Sequence, residues 1–377
     1  MRTPLKIATL ATALALPAVS HATGATRAPW GMLKDGSPVE AITLTNAKHM
    51  RVRIISYGAT LQAVDVPDRK GKLADVTLGF PSMAGYLDTP SYFGASVGRY
   101  ANRIKLGRFS LDGTGYQLAT NNTVNALHGG VQGFDKRLWK VLEVASGPTA
   151  HVTLSYVSPD GEEGYPGTLT VTATYSLDEA NNLTVEYKAT TDKPTIVNIT
   201  NHALWNLAGE AAGTIYNHRM TIPADTYNPV DAGWIPTGVF QSVAGTPFDF
   251  RKPAIIGARI RDARDPQIVI GRGYDHNYVI ARDVIPGMRR LAVLEDPASG
   301  RTMTIDSNQP GLQVYTGNFL DGTVSGKANN VYRQGDGIAL EPQIFPDTPN
   351  QPSFGSARLD PGQTYRNVMT FSFSVTK

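Results

Sequence analysis

Apolar and polar residues alternate along most of this chain. EAITLTN, MRVRIIS, TLQAVDV, HVTLSYVS, TLTVTATYSL, NLTVEYKAT and the terminal YRNVMTFSFSV each repeat with the two-residue period of a strand that buries one face. Turn residues separate these runs, and 37 glycines and 25 prolines are enough for many turns. RFSLDGTGYQLAT predicts a hairpin that turns within Asp112–Gly115. No stretch carries apolar residues at helical spacing over three turns, and PSMAGYL offers one turn. Strand–helix alternation is missing, which argues against a parallel α/β sheet. The pattern predicts all-β architecture: one large antiparallel β-sandwich over residues 23–377, entered through a polar lead-in at about 23–37.

The same period singles out Thr195–Gly209, TIVNITNHALWNLAG. Read as a strand, it points Val197 and Ile199 one way and Asn198, Thr200 and His202 the other. GLQVYTG likewise sets Leu312 and Val314 against Gln313 and Tyr315, and GIALEPQ sets Ile338 and Leu340 against Ala339 and Glu341. A histidine and a carboxylate lifted from well-anchored strands are the minimum for general acid–base chemistry. Any one of these strands alone is better read as a solvated polar face.

Composition removes several alternatives. The formal net charge is +3 with no basic patch or long charge run, so neither nucleic acid nor an anionic membrane is an expected partner. Cysteine is absent, which excludes thiolate nucleophiles, cysteine metal sites and a disulfide framework. At the start, Arg2 and Lys6 precede an apolar run from Ile7 to Val19, and the small residues of AVSHAT follow. That is the layout of a secretory signal over residues 1–22, cleaved after Ser20 or Ala22, and it predicts a periplasmic or secreted protein. No later run approaches the ~20 apolar residues that would hold the mature chain in a bilayer.

Five places could carry chemistry. GRYANRI offers Arg99, Asn102 and Arg103 as donors to an oxygen-rich ligand, or as an exposed basic turn. In NALHGG, His128 precedes two glycines that let a backbone approach a ligand, though it could equally be a capped loop residue. His202 is the third. GYDHNYVI brings Asp275, His276 and Asn277, whose Asp-x-Asn face suits sugar hydroxyls, a cation or a simple turn. In ALEPQIFPDTPNQPSF, Glu341 precedes Pro342, which ends or redirects the strand. The Pro- and Phe-dense segment after it predicts a stiff loop over a cleft, where a carboxylate pKa would rise. The seven histidines form no HExxH and no short-spaced pair, so no metal is expected. GxSxG, P-loop and dinucleotide fingerprints are also missing.

Six segments in order, YFGASVGRYANRI, NALHGGVQGFDKRLW, TNHALWNLAG, GYDHNYVI, QPGLQVYTGNFLDG and ALEPQIFPDTPNQP, together resemble the aldose 1-epimerase (galactose mutarotase) family over nearly all of the mature chain. The resemblance implies a sandwich with a sugar cleft on one concave sheet, and an isomerase that interconverts α and β anomers of hexoses such as glucose and galactose. By the same resemblance, Glu341 is the general base at the C1 hydroxyl and His202 the general acid at the ring oxygen. His128 is a second histidine near that oxygen, and Asn102, Arg103, Asp275 and Gln313 hold hydroxyls. A monosaccharide is the implied partner and no cofactor is needed. The sequence departs from the family after His202, where Ala203, Leu204 and Trp205 replace a small residue followed by an aromatic one. Two rival classes are a sugar-binding module without turnover, whose expected mark would be loss of Glu341 or His202, both of which are present, and a glycoside hydrolase using Asp275 and Glu341.

Overall fold

The computed structural model describes residues 23–89 and 91–376, so the segment expected to be a secretory signal lies outside the described residues. The longest alternating runs form the longest strands. Leu169–Asp178 pairs antiparallel with Asn182–Thr191, and the register sets Val171 against Ala189, Ala173 against Tyr187 and Tyr175 against Val185. All six are buried, so each cross-strand pair removes apolar surface on one face of the sheet. These two strands lie in a nine-stranded sheet, in the order Lys140–Ala145, Thr149–Ser158, Leu169–Asp178, Asn182–Thr191, Tyr365–Val375, Arg301–Ser307, Arg289–Glu295, Arg219–Thr221, Ala254–Ile255.

Two further large sheets and five two-stranded ones accompany it among the described residues. One large sheet is a five-stranded meander from Gly24–Met32 to Leu73–Asp75. The other has six strands, in the order Leu204–Trp205, Ile338–Gln343, Gly311–Tyr315, Asp275–Val279, Thr226–Asn228, Gln241–Ser242. A continuous apolar cluster joins all three, with Val52 and Leu61 from the meander, Val171, Val185 and Phe371 from the long sheet, and Leu312, Val314 and Leu340 from the six-stranded one. The all-β, antiparallel expectation holds.

Local expectations fare unevenly. The hairpin forms between Arg108–Leu111 and Thr114–Gln117, turning on Asp112 and Gly113 with φ of 51° and 78°, the paired positive values a two-residue turn requires. PSMAGYL gives the short helix Met83–Asp88. The polar lead-in is in fact the edge strand Gly24–Met32; none of its residues is buried, so no alternation marks it, and Pro29 is tolerated where the register shifts on an edge. The helix Pro266–Gly271 is too short for periodicity to reveal, but Asp265 caps it by accepting from the Gln267 amide at 2.8 Å, and Pro266 takes its first position.

Thr195–Gly209 is not one strand. Thr195–Ile196 pairs with Arg358–Leu359, Thr200–Asn201 with Ser96–Val97, and Leu204–Trp205 with the start of Ile338–Gln343. The two-faced division survives because the chain stays extended: Val197 and Ile199 enter the core. The opposite face is buried as well. Asn198 donates to the carbonyls of Ala101 and Ile344 at 3.2 and 3.3 Å and accepts from the Ile344 amide, while Thr200 donates to the Pro342 carbonyl at 2.9 Å. These side chains replace sheet partners for neighbouring backbone, and His202 alone of the three goes on to a cleft.

Candidate active site

Register in the six-stranded sheet lays out the floor of that cleft. Leu312, Val314, Ile338 and Leu340 point into the core, so the intervening residues point outward. Glu341 lies opposite Gln313, forming one row that Asn277, opposite Gln313, continues beyond the cleft. Leu204, Ala339, Tyr315 and Asp275 form the next. Over this floor is a cleft of about 580 Å³ lined by all seven residues singled out as a site: Asn102, Arg103, His128, His202, Asp275, Gln313 and Glu341.

Glu341 is 1% exposed, and its Oε2 has no hydrogen-bond partner among the described residues. Oε1 lies 3.8 Å from Nε2 of His202. Burial pushes the carboxyl well above the usual range, the Asp275 charge pushes further, and Arg103 opposes both. His202 is fixed by its backbone: its amide donates to Ala95 at 2.9 Å and its carbonyl accepts from the Gly94 amide at 3.0 Å. Its ring is not tied, because Nδ1 has no hydrogen-bond partner among the described residues. Burial lowers its pKa to about 4, which favours the neutral imidazole.

His128 sits in the left-handed region at φ 51°, followed by Gly129 and Gly130, also at positive φ. A Cβ on Gly129 would lie 1.8 Å from the Gly98 carbonyl oxygen, so only glycine permits this approach. Asn121 holds the loop by donating to the carbonyls of Leu127 and Gly130 at 3.0 and 2.8 Å. Nδ1 of His128 accepts from the Asn102 amide at 3.1 Å, which places the proton of the neutral ring on Nε2. Burial, then the nearby His202, Arg103 and Lys136, hold its pKa well below the ordinary value.

Arg103 donates from Nε to Asn122 at 3.0 Å, and its guanidinium lies 5.5 Å from the Trp234 ring. Gln313 donates to Asp275 Oδ1 at 2.7 Å, leaving the other carboxylate oxygen for a ligand. Burial raises the Asp275 pKa while Arg103 and Gln313 oppose the shift. Donors and acceptors that converge on one space, with charges that partly cancel, suit a neutral polyol.

Three candidates lie elsewhere. Arg99 is 2% exposed and spends its guanidinium on Ser158 Oγ and the carbonyls of Ser158, Pro159 and Pro166, each at 2.9 Å, so it ties loops together behind the site. His276 points into the core, 3.0 Å from Gln267 Oε1 and against Phe248. Asn277 donates to Asn228 at 2.7 Å and does not line the cleft. The Pro- and Phe-dense segment is no roof either. Phe345 and Phe354 bury their rings against Phe240, and none of residues 342–357 lines the cleft.

Sequence reasoning missed Trp234, Phe319 and Tyr92, which line the cleft. Each is an aromatic in a loop rich in turn residues, DAGWIP, TGNFLDG and TPSYFG, and that isolation was the available signal. Leu204 of the departure lines the cleft, while Trp205 packs into the core against Phe371 at 5.0 Å. No group of three or more His, Asp or Glu residues able to hold a metal occurs among the described residues.

Comparison with known proteins gives a consistent picture. The family model described as aldose 1-epimerase matches residues 40–372. The chain is 45% identical over 350 residues to a galactose mutarotase of Rattus norvegicus, covering 93% of this chain and 98% of that one. It is 38% identical to an aldose 1-epimerase of Escherichia coli, covering 90% and 96%. Among solved structures, the galactose 1-epimerase of Lactobacillus acidophilus matches with a TM-score of 0.81 at 30% identity, covering 94% of this chain and 99% of that one.

Proposed function

This chain belongs to the aldose 1-epimerase family, and on that premise we propose how its cleft converts one anomer into the other. The protein is an isomerase, a mutarotase. Its substrate is a free hexose such as glucose or galactose, bound with O1 at Glu341 and O5 at His202. The observation that carries this reading is the 3.8 Å between Glu341 Oε1 and His202 Nε2. O1 and O5 share C1, so two groups at that separation can each reach one of them within the ~2.6–3.2 Å of a proton-transferring contact.

Ring opening begins with Glu341 as carboxylate and His202 as imidazolium. Glu341 takes the O1 proton, the C1–O1 bond becomes a carbonyl, the C1–O5 bond breaks, and O5 receives the His202 proton. The aldehyde turns about C1–C2. His202 then removes the O5 proton as O5 attacks the other carbonyl face, and Glu341 returns its proton to O1. No electrons or atoms are gained from outside. His128, through its Nε2–H, stands beside O5, while Asn102, Arg103, Asp275 and Gln313 hold the remaining hydroxyls. Each proton transfer contributes about 10²–10⁴-fold.

Burial acts on the two halves of this cycle oppositely: it disfavours the charged pair that begins ring opening and favours the neutral pair that follows it. It lowers the His202 pKa and raises that of Glu341, so the empty pair holds its one proton on Glu341. That distribution is the one present after ring opening, when the open-chain aldehyde waits to reclose. Polarimetry on freshly dissolved α-D-glucose tests the reading: faster approach to the equilibrium rotation supports it, and an unchanged rate with every hexose anomer overturns it.

We also propose that residues 1–22 direct export and that the enzyme meets its sugars in the periplasm or outside the cell. Arg2, Lys6, the Ile7–Val19 run and AVSHAT support this.

A further inference from the structure

Resting on that assignment of His202, we infer that Tyr92 is the positioning residue of the acid–base pair: its ring, not a hydrogen bond, holds the His202 imidazole on line with Glu341. The two cleft histidines are anchored differently. His128 is fixed by the Asn102 amide on its Nδ1, whereas Nδ1 of His202 has no hydrogen-bond partner among the described residues. The orientation of the His202 ring therefore depends on what packs against it. His128 lies 5.0 Å away edge-on, Tyr92 5.7 Å and Tyr315 6.4 Å. Among the described residues Tyr92 is the one aromatic side chain that meets both histidines, with its ring 4.6 Å from that of His128.

The position of Tyr92 is itself well determined. Two and three residues further on, Gly94 and Ala95 bracket the His202 backbone from both sides, so Tyr92 and His202 share one local frame. On the other side, Asn121 donates to the Tyr92 hydroxyl at 3.4 Å while tying the His128 loop. Lys136 Nζ lies over the Tyr92 ring at 5.2 Å and is paired with Asp135 at 2.6 Å. The Tyr92 ring thus packs against this cation as well as against both histidines. The charged or titratable groups that face the pair are His128 edge-on to His202, Glu341 and Tyr315 on the floor, Asp275 and Arg103 beside them, and the Lys136–Asp135 pair behind Tyr92. Removing the ring would free His202 to turn and let water reach it, which raises the pKa of a buried imidazole.

Tyr92→Leu should lower kcat by one to two powers of ten, roughly the effect of slight misplacement of a reacting group, with KM changed by less than about threefold. The acid limb of kcat/KM and the NMR titration of the His202 Cε1 proton should both move to higher pH. Tyr92→Phe, which keeps the ring, should recover most of the loss. Added to His202→Asn, Tyr92→Leu should cost little more, because the two act through one group. A folded Tyr92→Leu protein with wild-type kcat and an unmoved His202 titration overturns the inference, as does Tyr92→Phe failing as badly as Tyr92→Leu. A fully active His202→Asn protein would instead overturn the acid assignment, and the NMR titration would still decide whether Tyr92 holds the ring.

Discussion

Glu341 and His202 are each held where their charged forms are disfavoured, and the consequences can be measured residue by residue. Below the raised Glu341 value and above about pH 4 the pair keeps one proton in total, whichever group carries it. The pH profile of kcat/KM should therefore be bell-shaped. Its acid limb, near pH 4, reports a second proton arriving at His202; its alkaline limb, well above the carboxylate range, reports loss of the single proton from Glu341. This order is opposite to that of an ordinary carboxylate and imidazole. An acid limb that disappears in Glu341→Gln while His202 still titrates normally by NMR would contradict it. Stability follows the same group. Because the folded pKa of Glu341 is raised, its protonated form favours folding, and that contribution is lost as pH rises through the folded value. Glu341→Gln should raise Tm by an amount that grows with pH above about 4.3, the unfolded value, and vanishes below it. Thermal melts across that range read the trend, and a lower Tm at neutral pH would contradict it.

Elements separate residues that look alike in sequence. Arg99 and Arg103 lie in one short motif, yet the first ties buried carbonyls and the second lines the cleft. Arg99→Met should cost about 3 kcal/mol or more by leaving those carbonyls unpaired. Arg103→Met should leave Tm nearly unchanged and raise the sugar KM about tenfold, the scale of one lost charge-assisted hydrogen bond. Urea melts and steady-state kinetics on both variants check the contrast, which fails if Arg99→Met weakens KM as strongly as Arg103→Met. The strand period made Gln313 and Glu341 legible as outward residues because their strands truly pair along their length. The same period misread Thr195–Gly209, since an extended chain that hops between three partners alternates its side chains as a single strand does. Partner choice is a long-range property and leaves no local mark.

At the scale of the molecule, the antiparallel all-β plan was visible in turn spacing and alternation, and the site in residues spread from Asn102 to Glu341. What stayed hidden was which loops close over the floor. Phe345 and Phe354 carry the composition of a cleft cover but find apolar partners elsewhere, while Trp234 and Phe319 provide the aromatic wall from loops with no periodicity. The proposed export is also tested on the whole chain. Mass spectrometry of the protein made in its own host should find a start at residue 21 or 23 in an extracytoplasmic fraction, and an intact Met1 confined to the cytosol would contradict it. The central claim is that Glu341 and His202 pass one proton each way across the anomeric centre. Polarimetric mutarotation by Glu341→Gln, His202→Asn and the double variant, each confirmed as folded, tests this most directly. Each single change should lower kcat by two or more powers of ten, with the double variant little worse than the more damaged single one. A folded Glu341→Gln protein that mutarotates at near wild-type rate would contradict the account.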